Sequence, residues 1–177
     1  MENVMLDLET MGAGSNAAIV AIGAVEFDIE TQTLGDSFYS TIDLESSVKS
    51  GGAIDASTVK WWLGQSDEAR KEITSSQQTS IALALPMFSS WLKTCAGQSL
   101  IKIWGNGASF DNVILANTYQ RLNIELPWQF RNDRCYRTVK NLNKDIPMPL
   151  FEGVRHTALS DAKNQAIHLL SILKAKK

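Results

Sequence analysis

Asn3-Val4-Met5-Leu6-Asp7-Leu8-Glu9-Thr10 is the stretch on which the fold of this chain turns. Side chains of an extended strand alternate between two faces, so Val4, Leu6 and Leu8 share one side and Met5, Asp7 and Glu9 the other. Two carboxylates then leave the end of a short strand in the same direction. Held that close they repel each other and lose hydration, and a cation between them relieves both costs. Hard oxygen donors suit a divalent ion. An isolated D-x-E also fits two solvated acids at a strand end, so the rest of the chain has to decide.

At 177 residues the chain has the length of one domain, taken as 1–177, with room for a proper core. Its 44% hydrophobic and 20% charged residues set it apart from disordered and membrane-embedded chains. No apolar run approaches the ~20 residues of a membrane span, and the N-terminus lacks the basic start of a secretory signal. Cys95 and Cys135 are far apart and have no metal-ligand spacing, which reads as free thiols in a reducing, cytoplasmic compartment. The net charge of −2 argues against a general nucleic-acid coat, although local basic clusters can still hold a phosphate backbone.

Met11 to Asn16 is glycine-rich and reads as a flexible loop beside the acids. Ala17 to Phe27 is almost continuously apolar, as expected of a central strand, and Leu34 to Ile42 suits a third strand after a polar turn. Three early strands predict an antiparallel meander. Asp43 to Gly52 reads as a serine-rich loop, followed by a short helix capped by Ser57 and another starting at Ser66. Ile81 to Leu92 is helically patterned, with Pro86 kinking it or marking its first turn. Leu100 to Trp104 is a buried strand, then a glycine turn and a helix from about Ser109 to Leu122. Asp133 to Thr138 is a compact basic segment before a short helix at Val139 to Leu142, and a last helix runs from about Thr157 to Lys174.

Asp111 follows a strand and a glycine-rich turn, so its carboxylate sits at a strand exit. Asp161 is in the first turns of the last helix, five residues after His156. That separation rotates the two apart on a helix, which places His156 in the preceding loop, free to swing over a site that Asp161 helps build. Each residue alone has a bland reading, but the set is hard to assign to coincidence.

Asp7-x-Glu9, Asn106-x-x-x-Phe110-Asp111 and His156-x-x-x-x-Asp161 together resemble the three motifs of the DEDDh, or DnaQ-like, 3′–5′ exonucleases. WGNGASFDN, TVKWWLGQSDEAR and DRCYRT are similar to a small phage and bacterial branch of exonucleases and exoribonucleases. The resemblance spans nearly the whole chain, with no departure at the five motif positions. It implies an α/β ribonuclease H-like fold, a mixed five-stranded sheet whose first three strands are antiparallel, flanked by helices. It also implies a bacterial protein, or a phage protein in a bacterial host.

The implied cofactors are two divalent metal ions, Mg²⁺ or Mn²⁺, which four carboxylates can hold without cysteine or several histidines. By resemblance Asp7, Glu9 and Asp161 hold the ion that activates water, Asp7 bridges to the second, and Asp111 supports that one. His156 would take the proton from the water. The implied partner is the 3′ end of a single strand of DNA or RNA, with a homodimer permitted. Substrate contacts are expected from Thr10 and Met11, from Trp61 or Trp62, from Asn106 and Phe110, and from the basic cluster of Arg131, Arg134 and Arg137. Adjacent tryptophans on a helix face different ways, so both can hardly be core. A silent binding module of the same fold is the rival reading; it would lack an acid or the histidine, and all five are present.

Overall fold

The computed structural model describes residues 1–95 and 100–176. β1 (Asn3–Thr10), β2 (Ile19–Asp28) and β3 (Thr33–Thr41) form the antiparallel meander, and β4 (Lys102–Gly105) and β5 (Asp133–Cys135) pair in parallel on the other side of β1. The order β3-β2-β1-β4-β5 is the expected mixed five-stranded sheet, with β1 at its centre.

The alternation read from β1 divides the core. Val4, Leu6 and Leu8 pack against Phe88 and Leu92 of α4 (Ile81–Cys95) and Ile114 and Leu115 of α5 (Asp111–Arg121). Met5 belongs to the opposite cluster, with Trp104, Tyr136 of α6 (Tyr136–Leu142) and Leu169 of α7 (Ala158–Ala175). Each such buried side chain contributes about 1.5–3 kcal/mol, so a one-residue slip of β1 would forfeit both layers at once. Among the described residues no helix is long and apolar enough to cross a membrane.

The segment between β3 and α4 departs from the expected loop. Asp43 to Gly52 contains α1 (Leu44–Lys49), because the Asp43 carboxylate accepts the Ser46 N–H and caps it. α2 (Ala56–Leu63) begins at Asp55 rather than Ser57, and the Asp55 carboxylate instead accepts the Ala13 N–H at 2.7 Å, tying down the glycine loop. Ser66 does cap α3 (Asp67–Thr74), through the Ala69 N–H. Pro86 lies inside α4, past its first turn. Met11, Trp62 and Ala69 close a third cluster over this end of the sheet.

Gly23 is the cross-strand partner of Asp7. A Cβ on Gly23 would fall on the backbone of Ala158 and Leu159, so the first turn of α7 rests directly on the sheet there. The missing side chain thus sets the depth at which α7 delivers Asp161 next to Asp7. Gly23→Ala is expected to cost about 3 kcal/mol, because the obstacle is backbone that cannot rotate away. A urea midpoint lower than wild type with an unchanged m-value would show it; an unchanged midpoint would mean that α7 can lift without penalty.

Candidate active site

Four carboxylates reach one cleft of about 400 Å³, and each is delivered by the end of an element. Asp7 and Glu9 come from the last residues of β1, on the α7 side. The β1–β4 pairing stops at Leu6 and Gly105, where the chain turns away through Asn106, and this leaves the Leu8 N–H unclaimed by the sheet. Asp111, at the start of α5, accepts that N–H at 3.2 Å. Asp161 stands in the first turn of α7. One carboxylate oxygen each from Asp7, Glu9 and Asp161 lies within 4.8 Å of the other two.

Burial dominates the electrostatics. It lifts Asp7 well above the usual carboxylate range, and the charges of Asp111, Glu9 and Asp161 lift it further, while the Gln165 amide opposes them. Glu9 is raised by burial and then by Asp161, Glu72 and Asp111. Burial takes Asp111 to about 7 against the pull of the Leu8 N–H, and Asp161 is also raised by burial, with the His156 N–H restraining it. An assembly of like charges paid for in desolvation fits a group that supplies positive charge. The donors are all hard oxygens, and the buried side-chain oxygens of Asn106 and Gln165 have no hydrogen-bond partner among the described residues. The set suits Mg²⁺ or Mn²⁺ by its chemistry.

His156 lies two residues before α7, in the left-handed region with φ 62°. Its N–H donates to a carboxylate oxygen of Asp161 at 2.8 Å, which compensates the strained backbone and fixes the loop to the acid. The imidazole meets the edge of Trp61, with ring centroids 4.9 Å apart at 82°. Trp61, Asn106, Phe110 and Arg137 line the same cleft.

Several expected contact residues are elsewhere. Trp62 is 1% exposed, packs with Met11 in the third cluster and donates its indole N–H to the Thr10 carbonyl at 3.0 Å. Met11 is a core residue for the same reason: the loop after β1 folds under α2. Thr10 is buried, and its hydroxyl donates to the Gly12 carbonyl. These three support the floor and do not face the cleft. Arg134 is outside the cleft, its guanidinium donating to the Arg131 and Asp133 carbonyls.

Two further residues belong to the site. Gln165 donates to Asp7 at 2.8 Å, and its position four residues after Asp161, on the same helical face, was the available signal. Glu72 is 6% exposed, accepts from the Tyr39 hydroxyl at 2.7 Å and adds negative charge beside Glu9. Nothing in its local sequence distinguishes it from a solvated acid of an amphipathic helix.

A carboxyl with a higher pKa in the folded chain than in the unfolded one binds extra protons on folding, so stability falls as pH rises between those values. For Asp111 the window runs from 3.8 to about 7, and Asp7, Glu9 and Asp161 act in the same direction. In chelator, the unfolding free energy measured by urea titration is expected to fall across that window, and saturating Mg²⁺ to remove the fall. Asp7→Asn should stabilise the chelated protein at pH 7 by about 1–3 kcal/mol, by deleting one of the crowded charges. A Mg²⁺-independent, flat profile would contradict the cation reading.

The sequence model of 3′–5′ exoribonuclease Rv2179c-like domains matches residues 2–173. An exodeoxyribonuclease of Enterobacteria phage T4 is 31% identical over 160 residues, covering 78% of this chain and 70% of its own. The fold is similar to that of the nuclease domain of 3′hExo, a DEDDh family member solved with rAMP, at TM-score 0.66 and 13% identity over 98% of this chain and 92% of that one. It is also similar to Escherichia coli exonuclease I solved with a dA16 oligonucleotide, at TM-score 0.68 and 13% identity, over 99% of this chain and 41% of the larger enzyme.

Proposed function

This chain belongs to the family of 3′–5′ exoribonuclease Rv2179c-like domains and is a 3′–5′ exonuclease, and from that premise we propose how it works: it removes nucleoside 5′-monophosphates from the 3′ end of single-stranded DNA or RNA by two-metal-ion hydrolysis. The observation that carries this reading is the meeting of Asp7, Glu9 and Asp161 oxygens within 4.8 Å, in a cleft that Asp111 and His156 also line.

Asp7, Glu9 and Asp161 would hold one ion, and Asp7 with Asp111 the other. Bound there, the pair supplies charge neutralisation at the scissile phosphate and a more acidic water. His156 would accept a proton from the attacking water as the water oxygen bonds to phosphorus, and the bond from phosphorus to the 3′ oxygen of the penultimate nucleotide breaks. That oxygen takes up a proton from solvent to become a new 3′ hydroxyl, the terminal nucleotide leaves as a 5′-monophosphate, and His156 returns its proton to solvent. Gln165 orients Asp7 by its amide hydrogen bond, and the Asp161–His156 N–H bond places the base over the ligand set. Phe110 and Trp61, both accessible on the cleft wall, offer faces to the terminal bases. Arg137, whose guanidinium donates to the Asn106 carbonyl, stands ready for a phosphate oxygen.

The relatives named above are an exodeoxyribonuclease and an exoribonuclease-like domain family, so both polymers belong in the test. Purified protein with 5′-labelled single-stranded DNA and RNA is expected to give ladders shortening from the 3′ end, dependent on Mg²⁺ or Mn²⁺ and absent in chelator. His156→Ala should reduce turnover by about 10²-fold or more while Mg²⁺ still raises the melting temperature. Wild-type turnover in that variant would remove His156 from the base role. Intact strands under every condition would remove the hydrolytic reading.

A further inference from the structure

We propose that Arg131, Arg134, Arg137, Lys140 and Lys144 form a track for the phosphates on the 5′ side of a strand whose 3′ end lies in the cleft, so that the substrate is a strand of several nucleotides rather than a dinucleotide. This rests on the function proposed above and adds the substrate's length.

The row starts inside the site, because Arg137 lines the cleft together with Asp111. Arg134 pairs with Trp104, which pairs with Met5, and partners in a pleated sheet face the same side. Arg134 is therefore on the face that carries Asp7 and Glu9, at the free edge strand of the sheet. Beyond it, Arg137, Lys140 and Lys144 follow at spacings of three and four, on one face of α6 and the turn after it. The neighbouring face is fixed to the core by Tyr136 and Val139. The Lys140 ammonium lies 5.4 Å from the centroid of the Tyr136 ring, which holds its stem along the helix. From Arg137 to the end of the row is about 10 Å at the rise of a helix, more than a single phosphate needs.

Among the described residues none of the five cations forms an ion pair with a carboxylate, although the charge of Arg137 acts on Asp111 across the cleft and pulls its carboxyl down. The chain as a whole carries −2, so the row is not a by-product of a basic composition. It also answers a difficulty of the site. A polyanion must approach four carboxylates, and cations beside the entrance supply the attraction that the cleft lacks.

Binding can be measured apart from cleavage, in chelator, by fluorescence anisotropy of a 5′-labelled trinucleotide and dodecamer over a range of salt. The dodecamer is expected to bind at least about tenfold tighter. In Arg131→Gln/Lys140→Gln/Lys144→Gln this advantage should shrink to near unity, and the slope of log Kd against log salt should fall by about 0.7 for each phosphate that is no longer neutralised. Lys140→Arg/Lys144→Arg should keep both, and matched melting curves show the variants folded. Equal affinity at both lengths, or an unchanged salt slope in the glutamine variant, overturns the track. If Mg²⁺ produces no 3′ shortening but the slope still falls, the track stands and the hydrolytic reading fails.

Discussion

Mutual repulsion among buried carboxylates is the constraint around which this molecule is arranged. Asp7, Glu9, Asp111 and Asp161 come from three separate elements, and each would be more comfortable in water. The fold confines them by means that do not depend on the acids themselves. β1 is gripped by apolar layers on both faces, α5 is anchored through Ile114 and Leu115, and α7 lies on the bare backbone of Gly23. Unfavourable electrostatics is thereby stored against packing energy, and a divalent ion held there would release it.

Neutral hydrogen bonds then decide where the acids point. Gln165 takes one oxygen of Asp7, the Leu8 N–H takes one of Asp111, and the His156 N–H takes one of Asp161. Each of these bonds engages one of the two oxygens of its acid. His156, the proposed base, shares this arrangement, since its backbone is held by the Asp161 carboxylate. Glu72 stands behind Glu9, tied to Tyr39 of β3 by one hydrogen bond.

What could be read from the sequence was whatever depends on period and position. The alternation of β1 places Asp7 and Glu9 together, the glycine turn before Asp111 marks a strand exit, and the five-residue gap puts His156 off the helix. What could not be read depends on tertiary burial. Trp61 and Trp62 are equivalent as letters, and only the fold of the loop under α2 makes one a cleft wall and the other a floor. β5 is three residues long, too short for any period to appear. Asp43 and its serines resemble a loop because capping residues and loop residues are the same residues. Glu72 becomes a site neighbour only when α3 closes over β2 and β3.

The central place of β1 also divides the site by rate of motion. Its backbone is hydrogen-bonded to β2 on one side and β4 on the other, so the strand that carries two of the acids opens only when the whole sheet does. The segment that leads to His156 is different: Pro147 to Arg155 is mostly exposed, Leu150 is 92% exposed, and Asn164 holds the segment through the backbone of Glu152. Amide protons of β1 should therefore exchange with solvent on the timescale of global unfolding, and those before His156 far sooner. The charge cage thus sits on the part of the chain that opens last, and His156, the proposed proton acceptor, is joined to it from the exposed side by a single backbone hydrogen bond to Asp161.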